Sequence, residues 1–304
     1  MQSLTTPHAG VINANLMAMC SMMAWAVGLP AAEPLIRLLP SLSLTAGRMG
    51  LAGLALKAAW LVIEGPRALA RARWGKGLVL GGATIGLGAY CLIVGQRLSD
   101  PVTVAIVSSS LPVCGIALEV LLDRRPLTLS LIVGLALSLI GGLLAMDWTG
   151  ARPGLGLGAL ACLVSVVAFT LGSRLTVTAL PDETPLGRTA LTVLGAGLFA
   201  TIAAAIQTWR GAEVANWSSL TPALWGMLLF YALASMAISQ VLWIKAVGQL
   251  GIGTASLHIN AAPFYVMLLL FAMGQPWNWM QALAAVFVGL GVLVAQKLIP
   301  IGRR

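Results

Sequence analysis

The chain has 304 residues, of which 59% are hydrophobic and only 9% charged, with a mean hydropathy of +0.94. A soluble domain carries about 25% charged residues, so a water-soluble fold of this length would have no way to cover its surface. Soluble enzymes, nucleic-acid binders and disordered chains are excluded, and the bilayer is the solvent.

A spanning helix needs roughly 20 mostly apolar residues. In chain order the predicted spans one to five cover 13–30, 43–63, 77–97, 102–121 and 128–147. Spans six to ten cover 156–179, 186–207, 222–246, 254–273 and 279–298. Ten helices use about 200 residues and leave about 100 for tails and connections, which fits short loops and no soluble domain. The apolar runs are continuous rather than alternating at every second residue, which disfavours a β-barrel. The expected fold class is an all-α membrane protein of ten transmembrane helices.

The net charge is +9, from 18 Lys and Arg against 9 Asp and Glu, and its placement sets the topology. With the N-terminus inside, eleven basic residues fall on cytoplasmic connections, among them Arg67, Arg71, Arg73, Arg124 and Arg125. Only Arg37, Arg97, Arg152 and Arg210 fall on the other side. This positive-inside bias places both termini in the cytoplasm. Arg48, Lys57 and Lys245 lie within spans and are expected to snorkel towards the ends. The N-terminus lacks a basic n-region, so no cleaved signal peptide is expected. The four cysteines, Cys20, Cys91, Cys114 and Cys162, stand at unrelated spacings in apolar spans and read as inert thiols, with no metal site.

An internal repeat divides the chain into residues 1–150 and 151–304, each a five-helix half. Span four contains Ser108-Ser-Ser-Leu-Pro112, and span nine contains Leu257-His-Ile-Asn260-Ala-Ala-Pro263, the prolines 151 residues apart. Gly142 and Gly291 follow at a separation of 149, and Ala46-Gly47-Arg48 mirrors Leu186-Gly187-Arg188. Five is an odd number of spans, so the halves must enter the membrane in opposite orientations. Two inverted repeats are a recurring architecture of secondary transporters, with the substrate site near the midplane where the repeats meet.

These features together resemble the drug/metabolite transporter superfamily, specifically its bacterial EamA-type members. The resemblance rests on the ten spans in two halves, on Trp25 in span one and on an Arg early in span two. A Ser-rich stretch running into a mid-span Pro and the Gly-rich fifth and tenth spans complete it. It covers essentially the whole chain. The Tyr90-Cys-Leu stretch of span three adds a likeness to aromatic amino-acid exporters of the YddG type. One departure is that the family often has a Glu in the short loops after spans four and nine, where this chain has Arg125 and Gln275. The resemblance implies a central cavity walled by spans one, three, four, six, eight and nine. It also implies export as the direction of transport and the bacterial inner membrane as the location.

Polar groups within spans are costly to expose to lipid and should face the bundle interior. Helical spacing groups Ser21, Trp25 and Gly28 on span one, and Ser165, Phe169 and Gly172 on span six. Trp25, Tyr90, Phe169 and Trp243 are candidates for an aromatic wall. Ser109, Gln240 and Asn260 are candidates to bond the amino and carboxylate groups of a substrate. For each the plainer reading is packing or helix–helix adhesion. Eight further tryptophans, Trp60, Trp209 and Trp279 among them, lie near span ends as interfacial anchors. Pro112 and Pro263 each free a carbonyl four residues earlier and are candidate hinges, or else static kinks. Glu119 and His258 are the acidic and imidazole groups placed inside spans and are candidates for a proton-linked role. Both lie within about two turns of the cytoplasmic ends, and snorkelling or an ion pair with a nearby Arg or Lys245 is the plainer reading.

No HExxH or paired-carboxylate constellation exists, so no enzyme is expected, and nothing requires ATP, a metal or a cofactor. The expectation is a monomeric inner-membrane exporter of small zwitterionic metabolites, most of all amino acids, working by alternating access. Its partners would be a small-molecule substrate and the lipid bilayer, with no nucleic acid. A multidrug or a nucleotide-sugar and sugar-phosphate carrier is the alternative on the same scaffold; the phosphate-bearing substrates call for deep cations such as Lys245. A receptor or structural subunit would not need an inverted repeat.

Overall fold

The structure, a computed structural model, describes residues 7–98, 107–144, 156–272, 274 and 276–299. Among these residues all regular structure is helical. Six helices are long and apolar enough to cross a bilayer: Gly10–Leu38, Ser41–Glu64, Trp74–Leu98, Leu157–Thr178, Pro185–Trp209 and Pro222–Leu250. They are spans one, two, three, six, seven and eight. Span four is Leu111–Asp123, span five Leu129–Leu144 and span ten Trp279–Ala295. Span nine is a broken run of Ile252–Ser256, Leu257–Ala261 and Ala262–Ala272. The predicted start of span four and the predicted end of span five lie outside the described residues.

Local chemistry explains where the helices begin and end. Spans seven and eight open on Thr-Pro, the threonine hydroxyl accepting from the third residue on and the proline filling the first helical position. Thr184 Oγ1 accepts from the Gly187 amide (3.0 Å) and Thr221 Oγ1 from Leu224 (3.4 Å). Span one runs eight residues past its predicted end at residue 30 to Leu38. That extra length carries Glu33 and Arg37, an exposed pair one turn apart, so the helix continues beyond the apolar stretch.

Spans two and seven, five and ten, three and six, one and eight, and four and nine pack side by side. Exchanging the halves, one for six through five for ten, maps this set of pairings onto itself. The two five-helix repeats are therefore related by a pseudo-twofold, and the relation extends to single atoms. In the one–eight pair, Gly28 lies against the Ser235 hydroxyl; in the three–six pair, Gly172 lies against the Thr84 hydroxyl. A Cβ at either glycine would overlap the oxygen. Next to the first contact, Ser21 Oγ donates to the Ser239 carbonyl (2.8 Å) and Ser239 Oγ to the Ser21 carbonyl (3.0 Å). Next to the second, Ser165 Oγ donates to the Gly88 carbonyl (2.7 Å).

Two departures from regular helix occur in matching places. Spans three and eight each contain a π-helical stretch, Gly82–Gly86 and Leu233–Ile238, where an extra residue widens the turn. Spans four and nine are both interrupted before a proline. Ser109 and Ser110 form a turn ahead of Leu111–Asp123, and Leu257–Ala261 is a tight 3₁₀ stretch ahead of Ala262–Ala272. Pro112 and Pro263 are each the second residue of the helix that follows. A proline in the first turn costs no hydrogen bond, so both start a segment rather than kink one.

Burial separates two kinds of side chain. Val62, Leu121 and Leu157 are large, apolar and fully on the outer surface, as a lipid-facing bundle requires, and Trp209 and Trp279 are exposed near span ends. Trp60 departs from the expected interfacial anchor. It is buried against Gly187 of span seven, and its Nε1 donates to Glu64 (3.1 Å).

Candidate functional site

A cavity of about 60 Å³ lies at the centre of the bundle, between the two repeats. By the usual measure of internal water sites this holds a few waters. Its wall is built from Met22 and Trp25 of span one, Ile85, Gly88, Ala89 and Leu92 of span three, and Ser108 and Leu111 of span four. Ser165, Val166 and Phe169 of span six, Met236, Ser239 and Gln240 of span eight, and Ile259 of span nine close it. These are the six spans expected to wall a cavity. Span two adds Arg48 and Met49, which the sequence reading did not place there. The residues following both π stretches, Gly88 and Ala89 on one side and Ser239 and Gln240 on the other, are part of the wall. The two widened turns thus set which face of spans three and eight looks inward.

Of the seven substrate-contact candidates, the structure brings Trp25, Phe169 and Gln240 to this cavity. Trp25 and Phe169 are half-buried. They occupy the same position between Ser and Gly in spans one and six, so they are pseudo-twofold mates. Gln240 is 3% exposed, and its Nε2 has no hydrogen-bond partner. Trp243 is not part of the wall. It is 1% exposed, stacked on Phe169 with ring centroids 6.0 Å apart, and its Nε1 donates to Ser173 Oγ (2.9 Å). It supports Phe169 from behind.

Asn260, Tyr90 and Ser109 also lie off the wall. Asn260 Nδ2 donates to Ser138 Oγ (3.0 Å), and Ser138 donates in turn to the Leu257 carbonyl (3.0 Å), tying span five to the 3₁₀ stretch of span nine. Tyr90 is half-buried on span three; Ser109 is buried next to the wall residue Ser108.

The two candidates for proton linkage are held by local partners. Glu119 is buried; it is ion-paired with Arg125, and its Oε1 accepts from the Gly253 amide (2.9 Å) at the start of span nine. Arg125 also donates to Thr254 Oγ1 (3.1 Å). The preceding Gly251 has φ of +78°, a left-handed turn that favours glycine and lets the chain re-enter the membrane beside Glu119. His258 is buried, and its Nδ1 donates to the Ala255 carbonyl (3.1 Å). Close by, Asp123 at the end of span four pairs with Arg174 of span six.

Arg48 corrects the expectation that the cations within spans snorkel. Lys57 and Lys245 are exposed, but Arg48 is 2% exposed. Its guanidinium carbon lies 3.7 Å from the centroid of the Tyr231 ring, and its Nε donates to the Tyr231 carbonyl at 3.4 Å. Span two extends seven residues beyond Arg48 towards Ser41, and the helices around that end bury the whole side chain. Arg97 is engaged elsewhere, donating to the carbonyls of Ile36 and Leu39 at the end of span one.

A bundle of ten membrane helices in two repeats, with interrupted spans around a central cavity, defines a multi-pass membrane transporter rather than an enzyme. The EamA-like transporter family matches residues 12–146 and again 153–296, and the chain belongs to that family. It is 26% identical over 212 residues to the uncharacterized transporter YyaM of Bacillus subtilis strain 168, a match covering 68% of each chain. A protein of known crystal structure superimposes with a TM-score of 0.77 at 19% identity, over 94% of this chain and 97% of that one, a likeness of fold.

Proposed function

We propose that the protein exports small zwitterionic metabolites, above all amino acids, across the bacterial inner membrane by alternating access, with both termini cytoplasmic. The observation that carries this reading is the central cavity between the repeats, faced by Trp25 and Phe169 and by the unpartnered amide of Gln240. An aromatic and largely apolar wall with few polar groups suits a small substrate with an apolar side chain. Phosphorylated substrates call for several cations in the cavity. Lys245 is exposed and Arg97 is bound at the end of span one, so both lie off the wall. The interrupted spans four and nine are the natural hinges, because a broken helix can bend at little cost where its backbone lines a cavity. The test is uptake of labelled phenylalanine, methionine and threonine into liposomes holding the purified protein, with and without a pH gradient. Saturable uptake competed by the other amino acids is expected, and the gradient shows whether protons are coupled. Transport of a nucleotide sugar or hydrophobic cation, with none of the three amino acids carried, would overturn the amino-acid reading.

A further inference from the structure

We propose that Arg48 is the anion-recognition residue of the central cavity and that the transported substrate presents a single carboxylate to it. This rests on reading the cavity as the transport site. A charge two turns inside a membrane helix is expensive unless paired. Among the described residues Arg48 meets the face of Tyr231 and gives one long hydrogen bond from Nε. Neither supplies a counter-charge.

Among the described residues the carboxylates are engaged elsewhere or exposed. Glu33, Glu119, Asp123 and Asp182 pair with Arg37, Arg125, Arg174 and Arg73. Glu64 accepts from Trp60 and Thr184, Glu183 accepts from the Arg73 amide, and Glu213 is exposed. Among the described residues no carboxylate lines the cavity, and Arg48 does. A guanidinium carries five N–H donors in a fixed fork. With Nε turned to the Tyr231 carbonyl, the two terminal nitrogens are the donors a carboxylate would meet, and their spacing matches its two oxygens.

A buried donor without a hydrogen-bond partner faces the same space, the Nε2 of Gln240, 3% exposed. The remaining wall is mostly apolar, so the site offers one positive charge. One carboxylate neutralises it; a phosphate dianion would keep a net negative charge in an apolar enclosure. The aromatic faces of Trp25 and Phe169 receive the rest of the molecule. The substrate class is a monocarboxylate with an apolar or aromatic body, whether or not it also carries an ammonium group.

The experiment is ligand-induced thermal stabilisation of the purified, detergent-solubilised protein. The probes are phenylalanine, 3-phenylpropionate, phenylalaninamide and phenyl phosphate, tested on the wild type and on Arg48→Gln. Expected are saturable shifts with the two carboxylates, at least roughly tenfold weaker binding of the amide and the phosphate, and a similar loss for the carboxylates in Arg48→Gln. Equal binding of phenylalanine and its amide, or unchanged carboxylate affinity in Arg48→Gln, would overturn the proposal, as would no shift with either carboxylate. Should the variant fail to fold, the wild-type comparison of phenylalanine with phenylalaninamide decides alone. Binding of 3-phenylpropionate without transport of any amino acid would leave the role of Arg48 standing and remove the amino-acid reading.

Discussion

Phe169 and Trp243 lie on adjacent spans with rings stacked, yet one faces the cavity and the other does not. They should respond differently to truncation. Phe169→Ala removes a wall residue with room beside it, so membrane abundance should hold while flux falls roughly tenfold, the scale of one lost apolar contact. Trp243→Ala opens a void in a packed region and strands Ser173, at a cost of about 3–5 kcal/mol. Its signature is a lower melting temperature and lower abundance, read by thermal denaturation in detergent. Equal effects of the two variants would contradict the assignment. Residue spacing in the sequence placed both on inward faces, and that much was legible. Which of two inward aromatics reaches the cavity depends on the depth and rotation of neighbouring helices, which spacing does not carry. Arg48 shows the same limit. Its distance from the start of span two suggests a reach to water, and only the position of Tyr231, 183 residues away, shows why it stays inside.

At the scale of elements, the broken spans four and nine were legible because Pro112 and Pro263 mark them. The π stretches of spans three and eight were not. Gly82-Ala-Thr-Ile-Gly86 and Leu233-Ala-Ser-Met-Ala-Ile238 align as Ala-Thr-Ile-Gly against Ala-Ser-Met-Ala, the hydroxyls of Thr84 and Ser235 each pressed on a glycine of the partner span, but nothing in these short runs marks a π turn. An inserted residue leaves the apolar composition unchanged, so hydropathy passes over it. Its consequence is directional, because it rotates the cavity half of each span relative to the other half. Ala83 faces outward, and deleting it should return the turn to α-helical pitch while both flanks keep their packing. The expected outcome is a protein that still accumulates in the membrane but has lost most of its flux, measured in liposomes against the wild type. Retained flux would mean that the widened turn only relieves packing.

At the scale of the whole molecule, composition pointed to the bilayer, the apolar runs to ten spans, and the internal repeat with its odd span count to the inverted relation of the halves, before any contact was known. The pairings and the repeated Gly–hydroxyl contacts express the same symmetry in atoms. Two related halves around one small cavity can favour either of two arrangements by a slight rocking of one against the other, which is what alternating access through a single site demands. That claim is tested most directly by counterflow. Liposomes holding the protein are loaded with unlabelled phenylalanine, and entry of labelled phenylalanine is followed in the wild type and in Phe169→Ala. The account predicts saturable entry, faster with the internal load than without it, and a roughly tenfold fall in the variant. Entry that does not saturate, is indifferent to the internal load, or is undiminished by removal of the Phe169 ring would contradict a single central site served from both sides.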